Sequence, residues 1–133
     1  MRSDTTTITI DAEAGDVFAI VAEPRALPRW AIGFAKSVAH TDDGWTVELA
    51  NGARVPIQYV TSPELGVVDF HIEPAPGVEA VAHARILANG DGTEVVFTQF
   101  QGDQPDEVFD AQVEAVKHEL VVLKALAETR CPL

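Results

Sequence analysis

Cysteine is nearly absent: the only one is Cys131, near the end of a 133-residue chain. One thiol forms no intramolecular disulfide and builds no thiolate metal cage, so nothing demands an oxidising compartment. Positive charge is also scarce, with 9 Lys and Arg against 21 Asp and Glu, a net charge of −12. That balance repels phosphate backbones and anionic lipid, and with no basic stripe it argues against nucleic acid as a partner. No apolar run approaches the ~18 residues of a spanning helix. Met1-Arg2-Ser3-Asp4 leads into threonines rather than an apolar signal core. A cytoplasmic protein without membrane insertion is expected. Fixed-period repeats, low-complexity tracts and Gly/Ser linkers are missing as well, which leaves residues 1–133 as one domain.

What is present is an ordinary globular balance, 47% hydrophobic and 23% charged, in a chain long enough to bury roughly two-thirds of its unfolded surface. Thr5-Thr6-Thr7-Ile8-Thr9-Ile10 is β-branched throughout and predicts a first strand. Asp11 is placed to cap a following helix that turns Val17, Ile20 and Val21 inward. Pro24 ends that helix and opens a second short one carrying Leu27 and Trp30. From Ala35 to Gln101, turn signals at Asp42-Asp43-Gly44, Asn51-Gly52, Ser62-Pro63, Pro74 to Gly77 and Asn89 to Gly92 divide six strands. Spacings of about ten residues with hairpin chemistry argue for an antiparallel meander. A last helix starts at Pro105-Asp106-Glu107, and Phe109, Val113, Val116, Leu120, Leu123 and Ala127 recur along it at steps of four and three. The sheet hides one face, and the helix its stripe, by curling together. The fold class is therefore α+β, a helix-grip: a seven-stranded curved antiparallel sheet around a long C-terminal helix, with two short helices after the first strand.

Several segments are familiar in that order. Ile10-Asp11-Ala12-Glu13-Ala14-Gly15-Asp16-Val17-Phe18 and Leu27-Pro28-Arg29-Trp30 resemble the opening of START-like (Bet v 1-like, SRPBCC) proteins of the polyketide cyclase/dehydrase and lipid-transport group. Gly92-Thr93-Glu94-Val95-Val96-Phe97 resembles the last strand of that family, and Glu119-Leu120-Val121-Val122-Leu123-Lys124 its closing helix. The resemblance implies a cavity between sheet and helix that takes sterols, lipids, hormones or polyketides, and catalysis in only some members. No residue set matches a family catalytic motif position by position. Fold alone does not decide between carrier and enzyme.

Val78 to Ala88 is the most informative strand. One face carries Ala80, Ala82, Ala84, Ile86 and Ala88, and the other Glu79, Val81, His83, Arg85 and Leu87. If Ala88 pairs with Thr93, then Ile86 opposes Val95, Ala84 opposes Phe97 and Ala82 opposes Gln99. Methyl groups where larger side chains would fill space leave a volume for a ligand, or else let the last helix approach closely. Val55, Ile57 and Tyr59 face Val68, Phe70 and Ile72 in the neighbouring hairpin, with Tyr59 giving one polar tip. Gln99 and Gln101 lie in phase with Phe97 and offer amides to orient a carbonyl or hydroxyl. By analogy with the family, Trp30 sits with Phe34 near the cavity mouth, as a wall or lid or as a plug of the core. The expected ligand-binding set is thus Trp30, Phe34, Tyr59, Phe70, Ala82, Ala84, Phe97, Gln99, Val116 and Leu120. Pairing across Asn51-Gly52 puts Trp45 opposite Gln58, which conflicts with an inward Ile57. A bulge or longer loop must intervene, and the sequence leaves open whether Trp45 or Glu48 faces the cavity.

Acid-base work needs a titratable side chain held in the apolar pocket. His71, His83 and Arg85 fall on the outer face, and His40 and His118 read as solvated. No histidine pair has metal-ligand spacing, so neither metal nor cofactor is expected. Glu48 and Glu119 are the better carboxylates, with Glu119 flanking the helix stripe as a rim group. No nucleophile elbow or phosphate-cradling loop is present. Three readings remain. One is a carrier of a small hydrophobic, oxygenated molecule. Another is a polyketide cyclase or dehydratase that folds a chain by shape, with Tyr59, Glu48 or Gln99 assisting. The third is an interaction module with a filled core. Either a monomer or a homodimer fits.

Overall fold

In a computed structural model residues 1–129 are described, so the expectations for Cys131 lie outside them. Threonines 5, 7 and 9 face solvent while Ile8 and Ile10 turn inward, and this period of two forms β1 (Ser3–Ile10). The chain then runs through α1 (Ala14–Val21), a 3-10 turn (Pro24–Ala26) and α2 (Leu27–Trp30). Six strands follow: β2 (Ala35–Thr41), β3 (Gly44–Leu49), β4 (Arg54–Ser62), β5 (Val67–Ala75), β6 (Val78–Asn89) and β7 (Gly92–Phe100). The closing helix α3 spans Asp106–Thr129. All seven strands form one antiparallel sheet, ordered β1-β7-β6-β5-β4-β3-β2. This is the expected helix-grip.

One local expectation is corrected. Asp11 does not cap α1, because the helix begins three residues later with Glu13 at the cap position and no side-chain cap bond. The Asp11 backbone N–H instead donates to Glu128 Oε2 at 2.7 Å. Lys124 Nζ donates to that same carboxylate and to the Thr9 carbonyl, so the far end of α3 is tied to the end of β1. The near end is tied by Arg2, which donates to Asp110 at 2.7 Å and lies over the Phe109 ring. Between these ties Phe109, Leu120, Leu123 and Ala127 are buried against the sheet.

The sheet's inner face is not uniformly covered. At one end Thr93, fully buried, donates its hydroxyl to the Ala12 carbonyl at 2.7 Å, seating the start of α1 against β7. Val17, Ile20 and Val21 of that helix then fill the space over β6 and β7. At the other end of β6 no helix of comparable bulk lies on the sheet. That is where space remains.

Candidate ligand-binding site

The β6–β7 register is the one the hairpin chemistry implies: Ala88 pairs with Thr93, Ile86 with Val95, Ala84 with Phe97 and Ala82 with Gln99. Across β6, Ala80 and Ala82 stand beside Ile72 and Phe70 of β5. These small side chains floor a cavity of about 740 Å³. Its walls are Trp30 and Phe34 on one side, Phe70 and Phe97 on the sheet, and Val116 on α3. The volume falls in the range of small-molecule pockets, and the lining is mainly apolar.

Seven of the ten expected ligand residues line this space: Trp30, Phe34, Phe70, Ala82, Phe97, Gln99 and Val116. The other three do not. Ala84 is fully buried and Leu120 nearly so, because both lie toward the end that α1 and the apolar stripe of α3 have closed. Tyr59 stands behind Phe70, edge-on to it with ring centroids 5.0 Å apart, and so backs the wall instead of offering a polar tip. Burial, with help from the nearby Glu23 charge, pushes its phenol well above the usual tyrosine range. Tyr59 therefore stays protonated at neutral pH and is no base.

The β3–β4 hairpin resolves the Trp45 conflict. Leu49 and Ala53 bracket a three-residue loop, Ala50-Asn51-Gly52, in which Gly52 takes a φ of +89°. Trp45 then pairs with Ile57 and Val47 with Val55, all inward, while Glu48 pairs with Arg54 on the outer face. Glu48 accepts a hydrogen bond from the Ser37 hydroxyl there and is removed from any cavity chemistry. Trp45 faces in but does not line the cavity; it is tilted against His40 with ring centroids 4.8 Å apart and lies under the Arg25 guanidinium. His71, His83 and Arg85 lie on the outer face as expected. His83 and Arg85 share Asp69; burial alone would raise that carboxyl, but their hydrogen bonds prevail and hold it below its usual range. No cluster of metal-ligating side chains occurs among the described residues.

The buried carboxylate that lines the cavity is Glu119. It is 5% exposed, and its Oε2 accepts the Gly33 backbone N–H at 2.9 Å. Burial raises its pKa to about 7, against the opposing pull of the Gly33 and Phe34 amides. No charged neighbour contributes. The signal for this placement lies in the helix itself, since Gln112, Ala115, Val116 and Glu119 recur at i, i+3, i+4 and i+7 and all line the cavity. This second stripe is rotated from the apolar one. The amides of Asn51, Gln101 and Gln104 also line the cavity, with the exposed carboxylates of Glu79 and Asp103. Within the walls, Trp30 Nε1 and Gln99 Nε2 are buried with no hydrogen-bond partner among the described residues, a costly state that a ligand oxygen would relieve.

Residues 1–128 match the model of the family described as polyketide cyclase / dehydrase and lipid transport. The chain belongs to this family. Solved structures agree on the fold of this polyketide cyclase/dehydrase relative. The Zhui aromatase/cyclase from Streptomyces sp. R1128 superposes with a TM-score of 0.77 at 20% identity, over 97% of this chain and 94% of that one. A START superfamily protein from Mycobacterium smegmatis gives 0.69 at 16% identity, covering 95% and 97%. The protein XoxI from Bacillus cereus gives 0.76 at 14% identity, covering 96% of each. No curated protein matches the sequence closely enough to add to this. At such identities the likeness establishes the START-like fold of this family member and leaves its ligand open. No described helix is long and apolar enough to cross a membrane.

Proposed function

We propose that the protein binds a small, mainly apolar, oxygenated molecule, lipid- or polyketide-like, in the cavity between the sheet and α3. The observation that carries this reading is the cavity of about 740 Å³ floored by Ala80 and Ala82, whose walls hold two buried nitrogens without partners. A filled core would leave no such volume, which counts against an interaction module. Burial of apolar surface supplies the affinity, and the amides select for oxygen. The 133 residues act as one unit in the cytoplasm, as monomer or homodimer, with no nucleic acid and no inserted membrane segment. Native mass spectrometry of protein from its own host, with extraction of whatever is bound, tests the reading, alongside titration with the neutral fluorophore Nile red. A co-purifying apolar metabolite, or saturable Nile red fluorescence, is the expected result. An empty protein that also leaves Nile red dark would overturn it.

A second reading, cyclisation or water loss in the same cavity, is favoured by one observation: Glu119 titrates near neutrality inside the pocket, as a general acid or base must. Gln99 lines the same cavity and remains as a helper, whereas Glu48 does not line it and Tyr59 backs the wall. Turnover of the extracted metabolite by wild type, lost in Glu119→Gln, would establish it.

A further inference from the structure

We propose that Glu119 is the cavity's receptor for a hydrogen-bond donor, so that the molecule bound carries a hydroxyl, phenolic or alcoholic, at the end lying against α3 and the Gly33 loop. The inference rests on the binding reading above and names the feature that selects among apolar ligands. The other buried polar groups of the cavity, Gln99 and the Trp30 indole, provide N–H donors that accommodate an ether or ketone oxygen, and the Glu79 and Asp103 carboxylates of its lining are exposed to solvent. Glu119 alone among the cavity's buried side chains is a carboxyl, and it is held in place rather than free to swing out. Gly33 donates to Oε2, and a Cβ at Gly33 would come within 3.2 Å of that oxygen and 3.5 Å of the Ala115 methyl. The glycine therefore permits the close approach that fixes the carboxyl.

With one oxygen occupied by the main chain, the rest of the group is turned to a cavity wall that is otherwise apolar, next to Val116 and Ala115. Above pH 7, where the carboxyl is ionised and only accepts, a ligand that buries it without a donor leaves it unpaired, which costs more than the lost hydrogen bond alone. A ligand with a hydroxyl satisfies it, ionised or protonated, because either form retains an accepting oxygen. Gln99 and Trp30, which line the same cavity, can then take an acceptor elsewhere on the ligand. Selection between alike skeletons thus turns on one hydroxyl.

The test is displacement of Nile red by 2-naphthol and by 2-methoxynaphthalene, a pair that shares skeleton and acceptor oxygen and differs in the donor. At pH 8, where Glu119 is mostly ionised, wild type should bind 2-naphthol at least about ten-fold more tightly. Glu119→Leu should abolish that preference while leaving 2-methoxynaphthalene bound as well or better. Glu119→Gln, which keeps an acceptor and the fold should leucine fail, should retain a reduced preference. Equal affinities in wild type, or a preference that survives the removal of Glu119 in the leucine variant, would overturn the inference while the cavity reading stands. Failure of Nile red to bind wild type would overturn the cavity reading, and the inference with it.

Discussion

Glu119 lies three residues after Val116 and four before Leu123, on the shoulder of the stripe that packs α3 against the sheet. Helix geometry brings a residue at that angle either to the rim or into a neighbouring space, and the outcome depends on what stands opposite. Here it is Gly33, whose missing side chain makes room for the carboxyl. The folded chain holds the Glu119 proton up to about pH 7, whereas an unfolded glutamate releases it near 4.5. Between those values the folded state binds a proton the unfolded state has released, so this group's contribution to stability is present below pH 4.5 and is lost as pH rises through 7. Solvent reaching the cavity moderates the loss, which is on the order of 2–3 kcal/mol. Glu119→Gln should therefore stabilise the protein at pH 8 by on the order of 2–3 kcal/mol, and at pH 5 by about 1 kcal/mol or less. Urea denaturation of both proteins at the two pH values checks this, and a difference independent of pH would refute it. Burial of Glu119 was not legible from the apolar stripe, because its partner lies 86 residues away in a loop with no pattern of its own.

At the scale of elements, β6 shows how one strand serves two purposes. Ala84 is fully buried beneath the closed end, while Ala82 and Ala80, one and two inward positions away, floor the cavity. Ala82→Phe should fill the cavity, abolishing Nile red binding at a stability cost of about 1–3 kcal/mol or less. Ala84→Phe meets packed neighbours and should cost more without touching ligand affinity directly. If the two variants behaved alike in thermal melts and titrations, the boundary between core and cavity would be misplaced. The β4–β5 turn gives a sharper case. Gly66 has a φ of +66°, and a Cβ there would lie 2.1 Å from the Ile86 carbonyl oxygen, against a backbone that cannot yield. The Gly66 carbonyl also accepts the Ile86 N–H at 2.8 Å. Gly66→Ala should therefore cost several times the ~1 kcal/mol of an ordinary glycine change, read as a large fall in urea midpoint. The β6–β7 pairing was readable from turn chemistry residue by residue, since two-residue periodicity and a Gly fix the register together, whereas in β4–β5 only the inward faces were: Ile57 pairs with Ile72, Tyr59 with Phe70 and Thr61 with Val68, and Val55 pairs with β3 instead of β5. Asn51-Gly52 left the register open by one residue, because the same dipeptide closes a three-residue loop as well as a two-residue one, and that one-residue difference decides which of Trp45 and Glu48 turns inward.

Across the whole molecule, the sheet and α3 were foreseeable because each hides an apolar face that only the other can cover. The limits of the cavity were not, since they depend on where α1 stops covering β6, a matter of three-dimensional placement. The charge of −12 is a further property of the whole chain, and it acts on stability with a definite sign. The ion pairs that salt would weaken are mostly exposed, such as Arg2 with Asp110 and Lys117 with Glu114, and are each worth little. Repulsion among 21 acidic groups opposed by only 9 basic ones is the larger sum. Raising sodium chloride from 0.1 M to 1 M shortens the screening length from about 10 Å to about 3 Å and removes most of both. Because repulsion dominates, the urea midpoint should rise with salt at pH 7.5, and it should rise less at pH 4.5, where many carboxylates have taken up protons and there is less repulsion to screen. A midpoint that falls with salt at pH 7.5 would mean that the few ion pairs, including the Asp69 cluster shared by His83 and Arg85, hold the fold more firmly than their exposure implies.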